Sequence, residues 1–226
     1  MGFWDAFPAG RLLADVSLWS ADLTRLGQEI ARVDAHVDLY HIDVSDAHFI
    51  PGLLLFPDLL SAVRPLTRRP FNVHLMVDDP LPHIEDFANA GADMVTVHCE
   101  NGSLVPRALR RLEELGLARG LALGLDAPLD LVAPHLEAID LVLLMGTSLG
   151  VKGQGLSPGA CGRVEHLRSM LRQRHLEDRV RIEADGGIRA ATVPNLRKAG
   201  ADLVVAGSLA FKSDDMAATM AWLRSL

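Results

Sequence analysis

The sequence predicts an α/β fold in which a single (β/α)8 barrel, the TIM barrel, accounts for the whole chain of 226 residues. Eight short apolar segments recur along the chain, amphipathic stretches of helical spacing separate them, and glycine closes several of those stretches. Strands that are apolar on both faces indicate a parallel sheet covered by helices, and eight strand-then-helix units indicate a closed barrel. An open doubly wound sheet is the alternative, although no GxGxxG motif follows the first apolar segment.

The apolar segments have the length of strands and are rich in Val, Leu and Ile. In chain order, the strands are predicted at residues 14–19, 39–44, 71–76, 94–98, 120–125, 141–145, 180–184 and 203–206. Residues 57–66 and 82–90 place apolar side chains at helical spacing and predict two of the intervening helices. The sequences NAGAD, ELGLARG and KAGAD predict helix ends directly before the fourth, fifth and eighth strands.

The composition is that of an ordinary globular domain, with 49% hydrophobic and 23% charged residues. A formal charge of −7 without clustered basic residues argues against a nucleic-acid partner. No stretch approaches the roughly 18 apolar residues of a membrane span, so no membrane partner is expected. Two cysteines, Cys99 and Cys161, without metal-type spacing suggest a reducing compartment, and with no secretory signal the expected location is cytoplasmic.

The second predicted strand contains polar side chains that a buried strand does not require. His41 and Asp43 lie two residues apart and therefore point to the same face, while Ile42 and Val44 point to the other. Burying an imidazole and a carboxylate without partners is costly, so the pair is expected to contact a cation, a ligand or a hydrogen-bond network. A hydrogen-bonded structural pair is the alternative.

Other predicted strands also carry reactive groups near their ends, which is where barrels concentrate their chemistry. The first strand carries Ser17, the third carries His74, and the seventh is followed by Asp185. Side chains at these ends converge on one point, so four of them form a candidate site for a divalent metal ion: His41, Asp43, His74 and Asp185. Mixed nitrogen and oxygen ligands suit Zn²⁺, Fe²⁺, Mn²⁺ or Co²⁺, whereas Mg²⁺ and Ca²⁺ prefer oxygen ligands.

Two glycine-rich turns predict a phosphate site. DGGI at residues 185–188 and VAGSLAF at residues 205–211 follow the seventh and eighth strands. Barrels commonly bind phosphate at these positions through backbone N–H groups and a helix N-terminus, and glycine lets the backbone approach the anion closely. One glycine pair would be ordinary turn chemistry, but two at these positions favour a phosphate site.

Six motifs, in order and with matching separations, resemble the ribulose-phosphate 3-epimerase family. They are SLWSADLTRLGQEI, YHIDVSDAHFIPG, NVHLMV, AGADMVTVHCE, EADGGI and AGADLVVAGSLAF, and they extend from about Val16 to Phe211. The resemblance implies a barrel that uses one divalent metal ion to epimerise a phosphorylated ketose. Residues 1–13 are expected to be a short extension of the single domain 1–226.

The resemblance also implies roles for individual residues. The four candidate ligands would hold the metal ion, and Asp43 and Asp185 would also be the acid-base pair that removes a proton from one face of a carbon and returns one to the other. Met76 and Met145 match methionines on the floor of the site. The residues that would contact the substrate or its phosphate are Ser17, His74, Gly150, Lys152, Gly153, Gly186, Gly187, Gly207 and Ser208.

Five positions depart from the family pattern: Ser45, Ala47, Gly52, Leu149 and Lys152. Ser45 stands where the family has a methionine, which adds room and a hydroxyl donor near the reacting carbons. In the loop after the sixth strand, Lys152 replaces a glycine, and its ammonium would contact the phosphate or another anionic group, or else point into solvent. An intact acid-base set with altered loops is the pattern expected for one chemistry applied to a changed sugar.

Several functions remain open at this point. Conversion of D-ribulose 5-phosphate to D-xylulose 5-phosphate is favoured over the same chemistry on a tetrulose or hexulose phosphate such as D-allulose 6-phosphate. A non-catalytic barrel that binds sugar phosphates is a second class. A metal-free lyase or decarboxylase is disfavoured because the eight predicted strands contain no lysine. A homo-oligomer is expected, with the apolar segment 49–57 as a contact or as part of the rim.

Overall fold

The computed structural model describes residues 2–226, and in this range eight parallel strands close into one barrel. Each strand pairs with the next in sequence, and the last pairs with the first. The strands are β1 (Leu13–Ser17), β2 (Leu39–Ser45), β3 (Phe71–Met76), β4 (Met94–His98), β5 (Ala118–Leu123), β6 (Leu141–Met145), β7 (Arg181–Asp185) and β8 (Leu203–Val205). The predicted (β/α)8 fold is therefore confirmed, and the open doubly wound sheet is wrong.

Helices cover the outside of the barrel and pack their apolar faces on the strands. They are α1 (Leu26–Val33), α2 (Pro57–Val63), α3 (Leu81–Asn89), α4 (Val105–Glu114), α5 (Ala160–Gln173), α6 (Val193–Ala199), α7 (Ser208–Phe211) and α8 (Met216–Arg224). Between β5 and β6 the connection consists of two 3-10 helices, Leu129–Leu131 and Ala133–Ala138. Gly200 ends α6 with φ of 114°, as the KAGAD sequence predicts.

Five of the eight predicted strands differ from the observed strands by one or two residues at one or both ends. Three boundary differences, two in strands and one in a helix, have a local cause. β1 ends at Ser17 because the chain turns into a 3-10 helix at Leu18–Ser20, so the prediction of a strand to residue 19 was too long. β5 begins at Ala118, two residues before the predicted start, directly after the left-handed turn at Gly116. The helix predicted over 57–66 becomes 3-10 at its end, where Pro65 has no N–H to donate to the preceding turn.

The segment before β1 closes the N-terminal end of the barrel. Trp4 lies in a 3-10 helix, is only 7% exposed, and donates its indole N–H to the carbonyl oxygen of Asp140 at 2.7 Å. Phe3 and Phe7 pack against its ring. Trp4 covers a layer of inward-facing apolar side chains from six strands: Leu13, Leu39, Met94, Ala118, Leu141 and Leu203. The four candidate metal ligands lie toward the opposite end of the barrel.

The apolar segment 49–57 divides between the interior and the surface. Ile50 and Leu55 are buried, whereas Leu53 and Phe56 are 75% and 55% exposed. The two exposed side chains are available for a contact between subunits, and the homo-oligomer stays a prediction. Among residues 2–226, no helix has the length and apolar character needed to cross a membrane.

Candidate metal and active site

The four candidate ligands come together at the C-terminal end of the barrel. His41 Nε2 lies 3.4 Å from Asp43 Oδ1, 3.4 Å from His74 Nδ1 and 3.9 Å from Asp185 Oδ2. His74 Nδ1 lies 3.7 Å from Asp43 Oδ1. One donor atom from each of the four residues lies within 4.8 Å of all the others. Alternation along the strands causes this convergence, because β2, β3 and β7 each direct one or two of these side chains inward.

These distances and donor types fit a single divalent cation. Ligand atoms that stand 2.0–2.2 Å from a tetrahedral ion are about 3.3–3.6 Å apart, close to the measured separations. Two imidazole nitrogens and two carboxylates also match the ligand preference of Zn²⁺ and neighbouring transition-metal ions. His41 and His74 would bind such an ion through different ring nitrogens, Nε2 and Nδ1 respectively.

Burial and neighbouring charges give the two aspartates, Asp43 and Asp185, different pKa values. Burial and the nearby charge of Asp43 raise the pKa of Asp185 to about 7, although His41 opposes the shift. Burial also opposes ionisation of Asp43, but the charge and hydrogen bonds of His41 and His74 hold its pKa well below the usual range. Ser17 donates its hydroxyl to Asp43 Oδ2 at 2.6 Å, which further stabilises the carboxylate. Without a cation, the cluster therefore contains one carboxylate that ionises readily and one that does so reluctantly.

A second polar layer lies between this cluster and the apolar layer. Asp15 Oδ2 lies 3.3 Å from His41 Nδ1, and Asn72 donates its amide to both Asp15 and Glu183. Within the described residues, Asp15 Oδ1 and Glu183 Oε1 are buried without a hydrogen-bond partner. Burial and the charge of Asp15 raise the pKa of Glu183 well above its usual value. Neither acid was predicted from the sequence, although each lies two residues before a predicted site residue and so faces inward with it.

A pocket opens above the cluster and is lined by most of the predicted substrate residues. His41 and His74 are fully buried beneath it, whereas Asp43 and Asp185 reach its surface. Met76 and Met145 also line this pocket. The other predicted residues that line it are Ser17, Gly150, Lys152, Gly153, Gly186, Gly187, Gly207 and Ser208.

Both backbone conformation and lack of space require glycine at the two positions after β7. Gly186 and Gly187 have φ of 87° and 70°, in the left-handed region that L side chains rarely adopt. A Cβ on Gly186 would collide with the Thr147 hydroxyl, and one on Gly187 would lie 2.6 Å from the Leu156 backbone. These glycines allow the chain to turn tightly along the pocket wall.

Two of the residues that depart from the family pattern, Ser45 and Lys152, have defined contacts. Ser45 is buried and donates its hydroxyl to the carbonyl of Gly52, so this donor is already used within its own loop. Lys152 donates to the carbonyl of Trp19 at 2.6 Å, and its ammonium lies 4.3 Å from the centre of the indole ring. Lys152 is thus an exposed residue at the pocket edge, and its ammonium makes a specific contact with Trp19.

Two further residues that line the pocket, Trp19 and Arg189, were not predicted from the sequence. Trp19 lines the pocket and receives the Lys152 contact, and Arg189 donates to the carbonyls of Gly153 and Gln154 in the loop after β6. Arg189 directly follows the DGGI turn, so a cation beside a glycine-rich turn was the available signal. Trp19 gave no such signal, because it sits in a segment that reads as a buried strand.

The fold and the site together define a class: (β/α)8 barrels with a histidine and aspartate cluster at the C-terminal strand ends, below a glycine-lined pocket. Comparison with known proteins narrows the class. The sequence profile of the Ribulose-phosphate 3 epimerase family matches residues 13–211, and the chain belongs to that family.

Individual relatives agree with this assignment. Ribulose-phosphate 3-epimerase of Synechocystis is 38% identical over 92% of this chain and 91% of its own length, and that of Bacillus subtilis is 36% identical over 88% and 92%. The chloroplastic Arabidopsis thaliana enzyme is 34% identical over 94% of this chain and 76% of its own. Among solved structures, KGPDC from Streptococcus mutans superposes with a TM-score of 0.72 at 16% identity, covering 96% of this chain and 97% of that one. The last likeness establishes the barrel fold.

Proposed function

We propose that this protein is a metal-dependent epimerase that inverts the carbon next to the ketone of a phosphorylated ketose, with D-ribulose 5-phosphate as substrate and D-xylulose 5-phosphate as product. The observation that carries this proposal is the pair of carboxylates, Asp43 and Asp185, which face one pocket from β2 and β7 with donor atoms within 4.8 Å of each other. Relatives that bear the name ribulose-phosphate 3-epimerase support the choice of substrate.

His41, Asp43, His74 and Asp185 would hold the ion, since their donor atoms have suitable identities and separations. When bound, Zn²⁺, Fe²⁺, Mn²⁺ or Co²⁺ supplies Lewis-acid stabilisation of negative charge that develops on the ketone oxygen. His41 and His74 are fully buried, so they would act as ligands and would not contact bulk solvent. The role implied for His74 as a direct substrate contact is less well supported, because this side chain does not line the pocket.

Epimerisation requires a proton to leave one face of the α-carbon and another to arrive at the opposite face. Asp43 and Asp185 come from strands on different sides of the barrel axis, which supports their roles as the two acid-base groups. One carboxylate takes the proton and leaves a planar enediolate, and the other carboxyl group delivers a proton to the far face. The roles reverse in the opposite direction. Ser17, which donates to Asp43, would orient that carboxylate.

The phosphate would lie at the other end of the pocket. Gly186 and Gly187 after β7 and Gly207 and Ser208 after β8 line the same cavity as the two aspartates. A Cβ on Gly207 would lie 2.5 Å from Ser20 Oγ, so the turn after β8 needs glycine. The loop residues Gly150, Lys152 and Gly153 would cover the substrate from the side of β6.

A second candidate is the same reaction on a tetrulose or hexulose phosphate. The observation that favours it is the contact of Lys152 with Trp19, which builds one edge of the pocket from a bulky indole and a cation. Substrates that differ in length would meet this edge differently. A non-catalytic barrel is less well supported, because both carboxylates remain accessible from the pocket.

Solvent exchange tests the proposal. Protein loaded with Zn²⁺, Mn²⁺ or Fe²⁺ is incubated in D2O with tetrulose, pentulose and hexulose phosphates, and deuterium is located by NMR. We expect one deuterium at C3 of the xylulose 5-phosphate formed, and Asp43→Asn or Asp185→Asn to slow its appearance by about 10²- to 10⁴-fold. Asp178→Asn, at an exposed position, serves as control and should keep the wild-type rate. Absence of deuterium from every ketose phosphate would overturn the proposal.

A further inference from the structure

His74 has one ring nitrogen for the ligand cluster and one for a neighbour. Its Nδ1 faces His41 and Asp43, so its Nε2 points away and lies 2.9 Å from His98 Nε2. Two ring nitrogens at this distance share one hydrogen, so one donates and the other accepts. Because a nitrogen that binds a cation carries no proton, the proton of neutral His74 resides on Nε2. His74 is then the donor and His98 Nε2 the acceptor.

The other ring nitrogen of His98, Nδ1, extends this row of hydrogen bonds to Glu100. His98 Nδ1 lies 3.3 Å from Glu100 Oε2, and an imidazole that accepts at Nε2 carries its proton on Nδ1, so His98 donates to Glu100. The other carboxylate oxygen of Glu100 accepts the backbone N–H of Gly124 at 2.8 Å. A Cβ on Gly124 would lie 2.5 Å from that oxygen, so glycine is required for this approach.

Packing leaves His98 little freedom to choose another partner. The side chain of His98 is fully buried, and its ring stacks on that of His74 with 5.0 Å between the ring centres. The ring centre of Phe49 lies 4.7 Å from that of His98. A histidine that only filled space would need no ordered sequence of donors and acceptors. Here both ring nitrogens of His98 form hydrogen bonds. With His74 donating to His98 and His98 donating to Glu100, the Nδ1 lone pair of His74 is directed at the ligand cluster.

We propose that His98 and Glu100 are positioning residues that hold His74 in the tautomer with an unprotonated Nδ1 and thereby set the affinity of the cluster for its metal ion. The inference rests on the proposed function, since it requires an ion bound by His74. Neither His98 nor Glu100 lines the pocket, so their effect reaches the ion through His74 alone.

Glu100→Gln is an isosteric substitution that tests the row of hydrogen bonds from His74 through His98 to Glu100. A glutamine has one acceptor oxygen, whereas Glu100 accepts from both Gly124 and His98. If the amide oxygen keeps Gly124, the amide NH2 must donate to His98 Nδ1, which moves the His98 proton to Nε2. The proton on His98 Nε2 would then point at the proton on His74 Nε2. Two donors cannot share one hydrogen bond, so the histidine tautomers of the wild type could not both be kept.

The experiment measures Zn²⁺ affinity by competition with a chromophoric chelator, without any substrate. We expect His98→Phe, which keeps a ring but removes both nitrogens, and Glu100→Gln to bind Zn²⁺ about 10- to 100-fold more weakly than wild type. His98→Gln should retain most of the affinity, because its amide oxygen can accept from His74. Glu165→Gln, at an exposed helical position, is the matched control.

The possible results distinguish failure of the positioning role from failure of the proposed function. Zn²⁺ binding by wild type with equal affinity in all variants would overturn the positioning role and leave the proposed function standing. Failure of wild type to bind Zn²⁺ would overturn both. If His98→Phe does not fold, Glu100→Gln and ¹⁵N histidine NMR of Zn²⁺-loaded wild type decide: protons on His98 Nδ1 and His74 Nε2 support the proposal, and a proton on His98 Nε2 overturns it.

Discussion

The Lys152 ammonium lies 2.6 Å from the carbonyl oxygen of Trp19 and 4.3 Å from the centre of the Trp19 indole ring. Lys152 belongs to the loop after β6 and Trp19 to the turn after β1, so the contact joins two loops at the pocket edge. A hydrogen bond and a cation–π contact from one ammonium hold the loop more firmly than either alone. Lys152 is one of the positions at which the chain departs from the family pattern that its motifs resemble.

Replacing Lys152 should therefore weaken substrate binding more than catalysis. Lys152→Met keeps an apolar stem but removes the ammonium, and at this exposed position the loss of about 0.5–1 kcal/mol of contact energy would raise KM by about 2- to 5-fold, with kcat changed much less. Steady-state kinetics on tetrulose, pentulose and hexulose phosphates measure this and also any shift in preference. Lys198→Met, on the exposed face of α6, is the control. Unchanged KM and unchanged preference would show that this contact has no role in substrate binding.

Trp4 should contribute to stability and not to activity. Its ring covers the apolar layer at the N-terminal end of the barrel, opposite the pocket. Trp4→Ala removes a buried aromatic side chain, and we expect the free energy of unfolding to fall by about 3–5 kcal/mol, with kcat per folded molecule unchanged. Urea denaturation checks the first expectation. Phe56→Ala, at an exposed ring, should change stability by less than about 0.5 kcal/mol; equal effects of the two changes would argue against the closing role of Trp4.

The two thiols should react at very different rates. Burial, together with the charge of Glu100, raises the pKa of Cys99 to about 12, so almost no thiolate forms at neutral pH. Cys161 is partly exposed and free of disulfide bonding, although burial also raises its pKa. A disulfide reagent at pH 8 should modify one thiol per chain in the folded protein and two after denaturation. Cys161→Ser should abolish the modification in the folded state, and persistence of that reaction would mean that Cys99 is accessible.

Asp38 should stabilise the protein only while it is ionised. Burial opposes its ionisation, but hydrogen bonds from Arg11 and the Ala14 N–H, with the charges of Arg11 and Arg224, hold the pKa of Asp38 below its usual value. A carboxyl whose pKa is lowered by folding contributes stability above its unfolded pKa of about 3.9, and the contribution disappears as pH falls through the folded pKa.

Asp38→Asn should accordingly lower the free energy of unfolding by about 2–3 kcal/mol at pH 7, less than a fully buried pair because Arg11 is 21% exposed. As pH falls from about 4 through the lower pKa that Asp38 has in the folded state, the variant and wild type should converge progressively, because wild type loses the same interaction. Denaturation across pH 2–8 measures the difference, with Asp178→Asn as the exposed control. A constant difference across that range would contradict the linkage.

Strand number and order followed from the sequence because eight apolar segments are local signals that survive without tertiary context. Local boundaries were less accurate where tertiary structure decides them, as at β5, whose first residue Ala118 belongs to the apolar layer. Likewise, a run of apolar residues after Ser17 gave no indication that Leu18–Ser20 would turn away as a 3-10 helix beside the pocket.

The four clustered side chains were predictable because three of them are polar exceptions in apolar strands and Asp185 directly follows the seventh predicted strand. Asp15 and Glu183 obey the same rule but lie deeper, and their partner Asn72 comes from a third strand, so their connection became visible only in three dimensions. The contact between Lys152 and Trp19 spans 133 positions in sequence. No local pattern specifies that pairing, because it depends on how two loops lie across the closed barrel.

An anomalous difference map from a crystal of the Zn²⁺- or Mn²⁺-loaded protein tests the central claim most directly. We expect one peak per chain, about 2.0–2.2 Å from His41 Nε2, His74 Nδ1 and a carboxylate oxygen of both Asp43 and Asp185. The peak should be absent in His74→Ala. A peak at another position, or none at these four side chains despite saturating metal, would contradict the account.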